Sequence, residues 1–279
     1  LVEFGVEGRW NDFYINEFDA LVRYNSSYSS DAPLIDPNSI LYNGIAFLLT
    51  SITDLNLMDT ICQRAVFVHS FHEVLVKATT LDDLIEAIKN VPNKDEVFHG
   101  ITSSDSTFKM NFQTHAGSFP IETKHFIRNS ILQSIDAKAT VDLHHPQYTY
   151  TIFVACHALD DRVLDEKIIK DNLCLPYVFY LTRQLRAKTD QEYYLPTYAL
   201  NKRPYIGPTS CDPKLAFSMA NLSGVSSNTT VFDPFSGTSS ILLACRKFTQ
   251  ATFGQELDYD TLYRTVAIDN HNARMIRLR

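Results

Sequence analysis

Apolar residues recur along this chain with two different periods. Phe13, Ile15, Phe18, Leu21 and Val22 fall at helical spacing, which predicts an amphipathic helix over residues 13–24. Residues 55–61 predict a short helix. Another begins at Thr80, an N-cap with Asp83 three residues on, and carries Leu81, Leu84, Ile85 and Ile88 on one face. A strong amphipathic helix is expected over 121–135, with Phe126, Ile127, Ile131 and Ile135 inward. Strand patterns lie between these. Residues 1–6, 39–49 and 65–76 read as extended, and Phe108, Met110 and Phe112 alternate. Residues 148–155 and 176–185 read as two further strands, with a helix over 163–172 between them. Residues 25–31 read as a polar loop, and 187–200 as a polar connector.

A third region opens near Asn201. Asp212 and Pro213 are a good N-cap and first residue for a helix over 214–221, along which Leu215, Phe217, Met219 and Leu222 are apolar. The run Thr230-Val-Phe-Asp233 predicts a strand. A tight loop with Gly237 follows, then an apolar helix through Ile241, Leu242, Leu243 and Phe248, then a strand over 251–254. This strand, loop, helix and strand is the unit that opens a doubly wound sheet. The expected class is therefore α/β.

Composition fits a globular chain with a sizeable core: 45% of the 279 residues are hydrophobic and 20% charged. No apolar run is long enough for a bilayer, so a soluble, non-membrane chain is expected. Chain start at Leu1 suggests a fragment. The net charge of -7 argues against gripping nucleic acid by overall charge, but leaves room for a local basic face. Cys62, Cys156, Cys174, Cys211 and Cys245 are odd in number and lack C-x-x-C spacing. They indicate neither a disulfide framework nor a zinc site, and a reducing, cytoplasmic compartment fits them. His69 and His72, three apart in an expected strand, would face opposite sides, and His144-His145 reads as a loop feature.

Chemistry concentrates after residue 230. Gly237 lets backbone approach a nucleoside closely. Asp233 at a strand end can accept hydrogen bonds from a small cationic cofactor. Glu256, about 20 residues beyond the loop, stands where an acidic residue binds ribose hydroxyls in this kind of fold. Each element alone also reads as an ordinary turn or a surface acid; together they favour a nucleoside cofactor.

Several stretches resemble the catalytic subunit of the tRNA guanosine-10 N2-methyltransferase family, in the same order and spacing. They are Tyr198-Ala-Leu-Asn-Lys-Arg-Pro-Tyr-Ile-Gly-Pro-Thr-Ser210, Asp233-Pro-Phe-Ser-Gly-Thr238 and Gly254-Gln-Glu-Leu-Asp258. Upstream, Thr79 to Leu84, Ser106 to Lys109, Ile121 to Thr123, Val141 to Leu143 with His145-Pro146, and Arg183-Gln184 resemble the same family more patchily. The resemblance implies an N-terminal ferredoxin-like domain (1–95), a THUMP RNA-binding domain (96–187), a linker (188–200) and the first part of an incomplete, Rossmann-like methyltransferase domain (201–279). It implies S-adenosylmethionine as methyl donor, tRNA as substrate, and a small zinc-binding activator protein as partner. Thr209 and Ser210 would line the methionine side. Asp233, Phe235, Gly237 and Thr238 would form the loop around the donor, with Glu256 on the ribose and Leu257 nearby. Lys109, Lys124, Arg128, Lys138, Arg183, Arg186, Lys188, Lys202 and Arg203 offer RNA phosphate contacts, or equally a solvated face.

The chain departs from the family pattern twice. The family loop reads Gly-Thr-Gly, whereas this one reads Gly237-Thr238-Ser239, which the helix can accommodate if the Ser239 backbone is helical. The family's Asp-Pro-Pro-Tyr catalytic loop is missing, and the 21 residues after Asp258 are expected to be a piece of helix or a foreign tail. No catalytic residue and no metal ligand can be named. Two other readings stay open: a non-catalytic relative serving as an RNA-binding or assembly scaffold, and an unrelated Rossmann-like enzyme using another nucleotide.

Overall fold

The computed structural model of the protein describes residues 1–4, 13–25, 47–48, 50–115, 119–156, 177–203, 205–208, 210–258, 260–261 and 274–277. These residues fold into two compact units. One draws on Leu1–Gly8, Ile35–Thr50 and Ser70–Ala187; the other on Arg9–Leu34, Ser51–His69 and Lys188–Arg279.

The first unit is built on a seven-stranded sheet. Its strands are β1 (Val2–Phe4), β2 (Phe47–Leu48), β3 (Val68–Ala78), β4 (Thr107–His115), β5 (Thr140–Val141), β6 (Tyr148–Cys156) and β7 (Tyr177–Ala187), in the order β2-β1-β3-β7-β6-β4-β5. The alternation read at Phe108 and Met110 buries both, and β4 runs parallel to β6 with Phe108 opposite Tyr150's neighbour Tyr148. Helix α3 (Leu81–Lys89) starts at the expected cap, where Thr80 Oγ1 accepts the Asp83 N–H at 3.0 Å. Its Leu84 and Ile88 join Phe108, Ile127, Ile131, Tyr150 and Leu181 in one apolar core. Each such side chain contributes roughly 1.5–3 kcal/mol by leaving water.

Phe126 departs from expectation. It is exposed, while Thr123, Ile127, Ile131, Ser134 and Ile135 form the buried stripe of the helix Ile121–Ile135. The stripe follows i, i+4 spacing, and Phe126 sits about 100° off it. The 144–145 pair lies in a loop, both backbone N–H groups donating to Asp142 Oδ1, at 2.9 and 3.0 Å. Strand β3 bulges between Phe71 and His72, so simple alternation fails there.

The second unit holds α1 (Phe13–Asn25) and α2 (Leu55–Arg64) together with everything after Ala187. The connector 187–200 winds, from Asp190 on, into short 3-10 turns that continue to Lys202, and it buries Tyr194, so it is less polar in its packing than in its composition. In helix Pro213–Leu222, Asp212 caps as expected, accepting the Lys214 N–H at 2.7 Å. Its buried positions are Ala216, Phe217, Ser218, Ala220 and Asn221. Met219 instead lines an open cleft of about 460 Å³ beside β8 (Thr230–Asp233), and so remains 37% exposed.

Helix Ser240–Arg246 connects β8 to β9 (Ala251–Glu256). Strand β10 (Arg274–Arg277) completes a parallel sheet in the order β10-β9-β8. Residues 274–277 are thus a strand paired to β9, where a helix or foreign tail was expected. The expected strand at 39–46, the helix at 163–172 and the rest of 262–279 lie outside the described residues. No helix among the described residues is long and apolar enough to cross a membrane.

Candidate functional site

The site forms where two adjacent parallel strands end. Strand β8 runs beside β9 with Asp233 opposite Gly254, so Asp233 and Glu256 both stand at C-terminal strand ends. In open α/β sheets this edge is where ligands bind. The loop between Asp233 and Ser240 is held from both sides. Asp233 Oδ1 accepts the Phe235 N–H at 3.0 Å, closing a local turn. Ser236 donates its N–H and its hydroxyl to the Gln255 carbonyl, at 2.9 and 3.1 Å. Gly237 donates its N–H to Glu256 Oε2 at 2.7 Å, while Glu256 Oε1 accepts the N–H groups of Leu257 and Asp258. Gly237 has φ +50°, and among the described residues nothing lies within 4 Å of where a Cβ would sit. The loop is therefore open to a ligand at that point.

A second wall comes from residues 203–211. Ser210 Oγ accepts the Gly207 N–H at 3.0 Å and meets Thr238 Oγ1 at 2.9 Å. Ser240 Oγ accepts the Cys211 N–H at 3.2 Å. A Cβ on Gly207 would come within 2.8 Å of Thr238 Cγ2, so this approach needs glycine. Thr209 lies outside the described residues. The helical backbone that would accommodate Ser239 easily is not adopted: φ is +61° and ψ +26°, left-handed, at a residue 2% exposed. A side chain in that conformation costs about 1–2 kcal/mol, which is why glycine suits such a position better.

Phe235 is 85% exposed and Leu257 80% exposed. Two apolar side chains in water beside two half-buried carboxylates, an amide-lined loop and the hydroxyls of Ser210 and Thr238 make a surface suited to binding. The set contains no nucleophile with an adjacent base. Among the described residues no group of three or more His, Cys, Asp or Glu is placed to hold a metal ion.

The basic residues divide between the units. In the first, Lys109 is half-buried on β4 and Lys138 lies 3.2 Å from Asp136. Arg128 has a buried Nε without a hydrogen-bond partner among the described residues. Arg183 pairs with Glu73 at 2.6 Å, and Arg186 donates to the Ala187 carbonyl. In the second, Lys202 is exposed and Arg203 donates to Ser240 Oγ and to the Thr238 carbonyl. Lys188 turns inward to the Ala65 carbonyl, and burial lowers its pKa.

Sequence reasoning missed a buried polar node in the second unit. Glu17 is fully buried. Its carboxylate accepts the N–H groups of Val66 and Phe67 at 3.0–3.1 Å and the Asn221 amide at 2.6 Å. Burial pushes its pKa up, against those hydrogen bonds and the charge of Lys188. Asn221 also accepts from Arg64 Nε at 2.8 Å. The signal was present: Glu17 stands between Tyr14 and Leu21 on the apolar stripe of α1, where a solvated acid does not belong.

Residues 201–270 match the family model described as UPF0020: RMKL-like, methyltransferase domain. The tRNA (guanine(10)-N(2))-methyltransferase TRMT11 of Homo sapiens is 30% identical over 222 residues, covering 80% of this chain and 45% of that protein. The chain is thus similar to this methyltransferase over most of its own length, and residues 201–270 match a methyltransferase domain. The tRNA (guanine(10)-N(2))-methyltransferase of Saccharomyces cerevisiae is 26% identical over 196 residues, covering 70% of this chain and 42% of that protein. The chain thus spans somewhat less than half the length of these relatives. Among solved structures, TrmN from Thermus thermophilus aligns over 100% of this chain and 73% of that one, with TM-score 0.47 and 14% identity.

Proposed function

We propose that this chain supplies the RNA-binding and methyl-donor-binding parts of a tRNA guanosine-10 N2-methyltransferase that uses S-adenosylmethionine. The observation that carries this is the pairing of the Gly237 amide with Glu256 across the two strand ends, inside a region that matches a methyltransferase domain. The loop fits the cofactor: the space beside Gly237 is open, and the surrounding groups suit a ribose, a cation and an apolar base face. S-adenosylmethionine brings a methyl group on a sulfonium. Glu256 would accept from the ribose hydroxyls, with Leu257 alongside. Asp233 offers negative charge, Phe235 an apolar cover, and Gly237 close backbone approach. Thr209, Ser210 and Thr238 would hold the methionine end.

On this reading residues 1–95 and 96–187 are ferredoxin-like and THUMP-like parts that hold tRNA, 188–200 links them, and 201–279 begins the Rossmann-like domain. Lys109, Arg128, Lys138, Arg183, Arg186 and Lys202 supply phosphate contacts, and the partner is a small zinc-binding activator protein in the cytoplasm. A second reading, a non-catalytic RNA-binding scaffold, draws support from Ser239, whose left-handed backbone carries a side chain where glycine is easier.

Titration calorimetry of the folded chain with S-adenosylmethionine tests the first reading. Saturable binding, weakened in Glu256→Ala and not reproduced by NAD or ATP, is expected. A folded chain that takes up no S-adenosylmethionine favours the scaffold.

A further inference from the structure

Arg203 was read as a candidate phosphate ligand, yet its guanidinium is committed to the loop that follows β8. Nη1 donates to Ser240 Oγ at 2.8 Å and Nη2 to the Thr238 carbonyl at 2.5 Å. These two acceptors lie immediately either side of Ser239. Ser239, like Gly237, has positive φ in this loop, but it carries a side chain. Its N–H donates to the Ser236 carbonyl at 2.7 Å, and its carbonyl accepts the Leu243 N–H at 2.9 Å. The turn therefore passes its geometry directly into the first turn of the following helix. Left-handed backbone at a residue with a side chain persists only where the surroundings hold it. A planar fork that reaches two acceptors at once can do that; an ammonium offers no such fixed fork.

We infer that Arg203 is a positioning residue that clamps the left-handed turn at Ser239, and through it sets Gly237 and Thr238 for the methyl donor. Its effect on the donor rests on the function proposed above; the clamp itself does not. Ser240 Oγ also accepts the Cys211 N–H, and Thr238 Oγ1 meets Ser210 Oγ, so the clamp joins both walls of the site. The same reasoning assigns Ser239 and Arg203 as a pair: with glycine at 239 the clamp has less to hold.

A double-mutant cycle tests the pair. Arg203→Ala, Arg203→Lys, Ser239→Gly and the Arg203→Ala/Ser239→Gly double variant are compared by amide hydrogen exchange of the ligand-free chain, read at Leu243. Arg203→Ala is expected to speed that exchange about tenfold with serine at 239, and less than about threefold with glycine there. Arg203→Lys should recover only part of the protection. S-adenosylmethionine affinity should fall in step with exchange, while affinity for a tRNA transcript and its salt dependence stay unchanged. Equal effects of Arg203→Ala in both backgrounds overturn the clamp. So does a loss of tRNA affinity with a shallower salt slope, which assigns Arg203 to phosphate instead. If the wild-type chain binds no S-adenosylmethionine, the proposed function fails, and the exchange cycle still decides the role of Arg203.

Discussion

The Gly237 amide donates to Glu256 Oε2 at 2.7 Å, which ties the loop after one strand to the end of its neighbour. The same carboxylate accepts from Leu257 and Asp258 through its other oxygen. Glu256 thus presents an oriented carboxylate to any ligand crossing the two strand ends. Hydrogen bonds to a charged group are worth about 1.5–3 kcal/mol, so Glu256→Ala should weaken S-adenosylmethionine binding by roughly 10- to 100-fold. Calorimetry measures this directly. Affinity within twofold of wild type would show that the ribose is held elsewhere.

Phe235 separates binding from folding. At 85% exposed it has little packing to lose, so Phe235→Ala should change stability by no more than about 0.5 kcal/mol. If the ring covers the methyl donor, the same substitution should cost about tenfold in donor affinity. Urea denaturation and calorimetry on one preparation give both numbers. A stable variant with unchanged affinity removes Phe235 from the site.

The strand from Thr230 to Asp233, its loop, its helix and the strand ending at Glu256 were all legible in the sequence, because local signals agreed there. A β-branched and aromatic run, a tight loop with glycine and an apolar helix each point to the same unit. The caps at Thr80 and Asp212 were legible for a similar reason: one side chain serves amides two or three residues away. What escaped depends on distant partners. Glu17 meets Asn221 across 204 residues of chain, and Arg203 meets Thr238 across 35. No periodicity encodes such pairings. Phe126 reads as inward from its hydrophobicity, whereas the neighbouring stripe of Ile127, Ile131 and Ile135 decides its exposure. The conformation of Ser239 is not legible because serine tolerates helices and gives no sign of positive φ.

Asn221 should behave as a structural residue. It donates to Glu17 at 2.6 Å and accepts from Arg64 at 2.8 Å, all within the second unit. Asn221→Ala removes these bonds and a third, to the Arg64 carbonyl at 3.2 Å, and leaves a buried carboxylate and a guanidinium each short of a partner. Removing one member of a buried charged network costs about 3 kcal/mol or more. Asn228→Ala, at an exposed loop residue, should change stability by less than about 0.5 kcal/mol. Comparable destabilisation in the two variants would show that the Glu17 node is not a specific support.

Glu3 should set part of the acid limit of the first unit. Burial alone would raise its pKa. Hydrogen bonds from His72, Ser70 and Gln113, with the attraction of a protonated His72, outweigh that and bring it from 4.5 to about 2. The Ser70 hydroxyl lies 2.5 Å from Glu3 Oε2 and His72 Nε2 lies 3.5 Å away. Burial lowers the pKa of His72 itself, so the charged pair forms only in acid, and the hydroxyl and amide carry the effect near neutrality. Because the folded value lies below the unfolded one, the folded state favours the ionised carboxylate. The resulting stability is fully present above about pH 4.5 and is lost as pH falls toward about 2. Its size is on the order of 3 kcal/mol. Urea midpoints followed by circular dichroism from pH 6 down to pH 2 should therefore fall less steeply for Glu3→Gln than for the wild type, with the Glu3→Gln curve the lower of the two at neutral pH. Parallel curves would show that other carboxylates govern the acid limb.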